Sequence, residues 1–212
     1  MKRYPEAPHP TNVDTGFAKF SSSGMIFKDT ASGYGIVSRL FHWLMAIAIF
    51  AMFGLGWWMV GLDYYSPYYH SAPDLHRSVG IVLLIALALR MLWRMSNVKP
   101  DDTELTPFER KASRLVHLGF YPLLLALMLS GYFISTPNGQ AIDVFGLFSV
   151  PSIVQQKGLA DLAGLVHRIL AYTVMAVAGV HTIAALKHHY SDESAILTRM
   201  WSGPHSGPRS AK

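Results

Sequence analysis

The chain has 212 residues, of which 51% are hydrophobic and only 15% charged, with a formal charge of +5 and no cysteine. Soluble domains carry about 25% charged residues, so much of this surface has to face lipid, and a chain this apolar is not intrinsically disordered. Lack of cysteine excludes disulfides, thiolate zinc sites, iron–sulfur clusters and covalent c-type haem attachment. In a membrane protein the basic balance serves topology, so no nucleic-acid partner is expected.

Residues 1–33 are polar and Ser/Gly-rich, too polar for a signal peptide, and read as a mobile cytoplasmic tail. Four apolar stretches follow, at 40–61, 75–93, 115–135 and 162–186. Each approaches the roughly 20 residues that cross a bilayer core of about 30 Å as a helix. Asp74 is placed to cap the second, and Arg90 near its end is expected to snorkel to the interface. Thr106-Pro107-Phe108-Glu109 reads as a capping box with proline at the first helical position, opening the third helix well before its apolar part. Polar connectors at 62–73, 95–107 and 136–157 separate the spans. The predicted fold is an all-α membrane bundle of four transmembrane helices within residues 34–200, with a short tail at 201–212.

Orientation follows from the 18 basic residues, of which only Arg77, Lys157 and Arg168 fall on the side away from the termini. By the positive-inside rule both termini are cytoplasmic, which suits a multi-pass protein of a bacterial inner membrane in contact with lipid. The outer connector 62–73 holds Tyr64, Tyr65, Tyr68 and Tyr69, an interfacial aromatic cluster. Phe50, Phe53, Trp57 and Trp58 are expected to face lipid. Gly54, Gly56 and Gly80 are expected to allow close approach of a neighbouring helix or a flat macrocycle.

Of ten histidines, five lie in the spans, where polar side chains are costly and face a bundle interior. They fall into two layers. His42 and His181 lie near the inner surface, and His76 and His167 near the outer one. His167 and His181 are 14 positions apart, about 21 Å of rise and about 40° off the same helix face. That geometry suits two cofactors stacked along one helix. Zinc would require three or four ligands per layer, whereas two facing imidazoles suit a six-coordinate haem that passes electrons and leaves no site for oxygen. Depth alone leaves His117 able to replace His42 opposite His181.

The stretch Tyr34-Gly-Ile-Val-Ser-Arg-Leu-Phe-His42-Trp43, then Asp74-Leu-His76-Arg77-Ser-Val-Gly80, resembles the bacterial cytochrome b561 family of two-haem, four-helix membrane proteins. So do Arg90-Met-Leu-Trp-Arg94, Val116-His117-Leu-Gly119 and His181-Thr-Ile-Ala-Ala-Leu-Lys187-His188-His189-Tyr190. The resemblance spans roughly residues 34–200. It implies two non-covalent haem b groups, with His42 and His181 as axial iron ligands on the inner side and His76 and His167 on the outer side. His117 is then a neighbour of haem or quinone. The resemblance further implies an oxidoreductase that oxidises superoxide at the periplasmic side and reduces ubiquinone in the membrane. The alternative is a cytochrome b subunit, without catalysis of its own, that carries electrons between quinone and a dehydrogenase or hydrogenase. Arg77 and Arg168 follow the outer ligands and are expected to neutralise haem propionates or to draw superoxide, or another periplasmic redox partner, to the haem edge. His188 and His189 are candidates to hydrogen-bond a quinone at the inner surface.

Overall fold

The computed structural model describes residues 27–156 and 158–203; what the sequence suggests for residues 1–26, Lys157 and 204–212 lies outside it. Four long helices dominate: α1 (Ile36–Met59), α2 (Ser71–Met95), α3 (Pro107–Ser135) and α4 (Leu159–Tyr190). All four are long and apolar enough to cross a membrane. Each begins about a turn or more before its apolar stretch, because polar interfacial residues can continue a helix once it has nucleated. Thr106 closes the expected capping box: its hydroxyl accepts from the Glu109 N–H at 3.3 Å, while its own N–H donates to the Glu109 carboxylate at 3.1 Å. Asp74 is not a cap. His70 holds that position, and Asp74 sits inside the first turn of α2, paired with Arg77.

Short connectors make the helices alternate in direction. One end of the bundle therefore gathers the starts of α1 and α3 and the close of α2 and α4 (the terminal end), and the other gathers the opposite tips (the hairpin end). Consecutive helices pack side by side, with Met45, Leu83, Leu87, Leu124 and Val174 as an apolar seam at mid-bundle. Phe50, Trp57 and Trp58 point outward, as do Leu44 and Ile47. Phe53 instead turns inward, its ring 5.4 Å from Tyr172 of α4.

At the hairpin end the connector between α3 and α4 folds into β1 (Ile142–Val144) and β2 (Phe148–Val150), an antiparallel pair in the register Ile142 to Val150. Three residues, Phe145 to Leu147, connect the strands; Phe145 and Gly146 turn the chain with φ of 54° and 71°, and the Leu147 N–H donates to Val144 O at 2.9 Å. Two helix side chains pin it: the Ser78 hydroxyl donates to Asp143 O at 3.1 Å, and the Tyr132 hydroxyl to Pro151 O at 2.7 Å. Beneath, Ile81, Tyr132, Ile142 and Val144 form a second small core. The strands have three residues each, too short for their alternation to stand out within a polar connector.

The terminal end is fastened by both flanks of the bundle. Asp29 has a fully buried side chain, which accepts from the Gly35 N–H and the Ser38 hydroxyl, each at 2.8 Å, and pairs with Arg94 at 3.6 Å. Burial raises the pKa of the neighbouring Tyr34 phenol. After α4 a short helix, α5 (Ile196–Trp201), folds back over the start of α1. Trp43 Nε1 donates to Met200 O at 3.1 Å, Arg39 donates to Trp201 O, and the Trp43 and Trp201 rings meet at 5.3 Å. Arg199 ties the same segment to Glu104 at 2.5 Å. Lys99, Arg110 and Arg114 converge on Asp102; hydrogen bonds from Lys99 and then Arg114 hold its carboxyl down at about 2. What this depressed group contributes is present above the ordinary carboxylate range and is lost only as pH falls towards 2.

Asp29→Ala would leave Arg94 without its partner and two donors unsatisfied. The expected cost is about 2–3 kcal/mol, read as a lower thermal midpoint of the detergent-purified protein. An unchanged midpoint would show that residues 27–35 add nothing to the bundle.

Candidate functional site

α4 supplies a histidine to each half of the bundle, and each meets a histidine from another helix. The His42 and His181 rings have centroids 6.3 Å apart, and so do the His76 and His167 rings, both pairs with planes at 73°. His117 lies closer to His181, at 5.2 Å edge-on. An imidazole nitrogen lies about 1.1 Å from its ring centroid and binds a metal ion at about 2.0 Å, so two rings on opposite sides of one ion have centroids about 6.2 Å apart. The two 6.3 Å pairs fit that separation, and the His117–His181 contact is too short for it.

One of the remaining nitrogens is arranged to match. His167 Nδ1 donates to Leu127 O at 2.9 Å, with the Ser130 hydroxyl 3.1 Å away, which leaves Nε2 free as a lone-pair donor. Metal-bound histidines characteristically give their second N–H to such an acceptor. His76 Nδ1 is buried without a partner. His42 Nδ1 lies 3.3 Å from the Arg90 guanidinium. Arg90 thus does not snorkel. It turns into the bundle against His42, while Arg94, one turn on, takes the interfacial place beside Asp29.

Two glycines make room for the rings at the hairpin end. A Cβ at Gly56 would stand 3.1 Å from His76 Cε1, and one at Gly131 3.2 Å from His167 Cε1. Gly56 meets its expectation. Gly54 has nothing within 4 Å, whereas Gly80 meets only Met52 Cε, at 4.0 Å, and lines the cavity beside these rings, where it leaves room for a flat group. No sequence signal marked Gly131. Around this pair opens a largely apolar cavity of about 1170 Å³, with Arg77, Arg168 and Asp161 among its lining residues. Arg168 is exposed and Arg77 is held by Asp74. At the hairpin end, paired imidazoles cradled by glycines beside a large apolar cavity suit a flat iron macrocycle; at the terminal end the ring separation alone carries that fit.

His188 and His189 lie seven and eight positions beyond His181, about 10–12 Å further along α4, and do not join the His42–His181 pair. His188 Nδ1 lies 2.7 Å from the Asp192 carboxylate, which Lys187 also reaches at 2.9 Å. Lys187 and then His188 hold the Asp192 carboxyl below the usual range. The His189 ring rests on Tyr190 at 4.8 Å, and its Nδ1 is buried without a partner. The Tyr64–Tyr65 and Tyr64–Tyr69 rings meet at 5.8 and 5.5 Å as the expected cluster.

Residues 33–203 match the family model described as Prokaryotic cytochrome b561. The chain is 46% identical over 178 residues to Cytochrome b561 homolog 2 of Escherichia coli strain K12, covering 83% of this chain and 95% of that protein. It is 29% identical over 162 residues to the Probable superoxide oxidase CybB of Yersinia pestis, covering 75% and 90% of the two chains. Cytochrome b561 homolog 1 of Escherichia coli strain K12 is 26% identical over 164 residues, 75% of this chain and 91% of its own.

Proposed function

The chain belongs to the prokaryotic cytochrome b561 family of membrane electron-transfer proteins, and from that premise we propose that it passes electrons from superoxide, at the hairpin end, to ubiquinone, at the terminal end. The observation that carries this reading is the repeated 6.3 Å separation of His42 from His181 and of His76 from His167. These four side chains would hold two haem b groups, one in each leaflet. Haem b with two histidines supplies a one-electron carrier with no open position for oxygen.

The rest of the work falls to the chain. His167 is oriented by its hydrogen bond to Leu127, and the 14-residue spacing on α4 keeps both pairs on one side of that helix. The terminal end carries most of the basic residues and faces the cytoplasm of the proposed inner-membrane protein. Superoxide is a small anion and Arg168 a cation at the cavity mouth without an ion-pair partner among the described residues. Its positive field draws the anion in. Two superoxide anions each give up one electron and leave as dioxygen, and the quinone takes those two electrons with two protons. His188, hydrogen-bonded to Asp192 at the membrane surface, is placed to deliver protons to the quinone. The name carried by the Yersinia pestis relative supports superoxide as the donor.

Three outcomes test this. His167→Ala should remove one haem and His181→Ala the other, while His117→Ala keeps both, as counted by pyridine haemochrome; two haems surviving either of the first changes would refute the ligand set. Arg168→Gln should slow haem reduction by enzymatically generated superoxide by about tenfold and flatten its ionic-strength dependence, at unchanged haem content. A wild-type rate and salt slope would end the steering argument. Stopped-flow oxidation of the reduced protein by ubiquinone should slow in His188→Ala, and an unaltered rate would remove that residue from proton delivery.

A further inference from the structure

α2 and α4 share a register. His76 and Arg90 are 14 positions apart, as are His167 and His181, so each helix presents two polar side chains about 21 Å apart along nearly one face. Where α4 carries its second histidine, α2 carries an arginine. Arg90 is half-buried, with Nη2 3.3 Å from His42 Nδ1 and Nη1 4.0 Å from Met45 Sδ, and it faces the Tyr121 hydroxyl. No carboxylate among the described residues pairs with it; the nearby Asp29 is taken by Arg94.

The other pair is treated in the opposite way. His167 Nδ1 donates to a carbonyl, Leu127 O, at 2.9 Å, which makes the ring more electron-rich towards a metal. Arg77 is cancelled by Asp74, and Arg168 is exposed to solvent, where it can act on a dissolved anion but is screened from the buried rings more than half-buried Arg90 is from His42. A guanidinium can only donate hydrogen bonds and keeps its charge; a neutral His42 that offers Nε2 to a metal carries its proton on Nδ1, so Arg90 stands against this ring at 3.3 Å as a charge and not as a hydrogen-bond partner. An electron-rich ligand favours oxidised iron; an uncompensated positive charge nearby favours reduced iron. The haem's own carboxylates are the same at both ends, so the difference comes from the chain.

We infer that Arg90, by its unpaired charge beside His42, holds the His42–His181 centre at a higher reduction potential than the His76–His167 centre, setting the direction of electron flow from the hairpin end to the terminal end. The inference rests on the proposed two-haem function. With haem bound, electrons would pass one at a time from the His76–His167 centre to the His42–His181 centre; each superoxide would supply one and leave as dioxygen, and the quinone would remove two with two protons.

Optical redox titration of the purified protein, with haem quantified alongside, tests this. The wild type should titrate in two steps, and the step remaining in His167→Ala should be the higher one. Arg90→Gln should keep both haems and lower that step alone by about 59 mV or more, the equivalent of a tenfold change for one electron. Arg90→Lys, which keeps the charge, should recover most of the loss. With two haems present, a reversed order of steps or an Arg90→Gln titration superimposed on wild type overturns the inference and leaves the proposed function standing. If Arg90→Gln sheds a haem, the order of steps in wild type and His167→Ala still decides. A wild-type preparation without two haems overturns the two-haem function, and this inference with it.

Discussion

A histidine ring inside hydrocarbon has two nitrogens to satisfy, and this bundle answers to that requirement four times. The protein supplies a neighbour for Nδ1 of His167, in a carbonyl, and for Nδ1 of His42, in a guanidinium. Within each pair the rings stand 6.3 Å apart, too far to hydrogen-bond one another and suited to a metal between them. A polar group left bare at this depth costs several kcal/mol, so the pairs make sense as halves of something bridged. The glycine contacts at Gly56 and Gly131 belong to the same constraint, since a side chain at either would press on a ring that has to stay where it is.

Room held open between helices has a mechanical consequence. α1 buries Met45 alone and α4 only Ala163 and Val174, so these two helices rely on more than side-by-side packing to stay in place. Fastening moves to the ends. Ser78 and Tyr132 hold the hairpin against α2 and α3, while Asp29, Trp43 and Arg39 bind the flanking segments across the starts of α1 and the close of α2. Both clamps use polar contacts, most of them half-buried, which are directional, where a purely apolar end would allow the helices to slide and change the ring separation.

The four spans, the capping box at Thr106 and both histidine layers are legible in the sequence because each has a strong local signature: length, an S/T-x-x-E pattern, or a polar residue at membrane depth. The hairpin is not, since three-residue strands leave too little alternation to separate from a polar connector. α5 is hidden for a similar reason: six residues carry little periodicity. Gly131 looks like any membrane-helix glycine until His167 is seen beside it. Arg90 departs from expectation because snorkelling is the usual fate of an arginine near a helix end; only three-dimensional placement shows that Arg94 and Asp29 occupy the interface, leaving Arg90 to turn inward. The choice between His42 and His117 also needs distances, because both lie at one depth and differ in how far they stand from His181.

Between the two histidine layers lies the seam of Met45, Leu83, Leu87, Leu124 and Val174, with Val174 midway between His167 and His181 on α4 and almost wholly buried. Water and protons find no polar foothold in such a layer, whereas an electron can cross it. Under the proposed function the seam would separate the two currencies of quinone chemistry: electrons would travel through the bundle, and protons would be collected at the membrane surface beside the quinone. That surface is where Lys187, His188 and Asp192 cluster. An electron crossing alone also moves charge across the low-dielectric core. In the proposed direction of transfer, a fixed cation at the place Arg90 takes against His42 would offset part of that cost where the negative charge arrives.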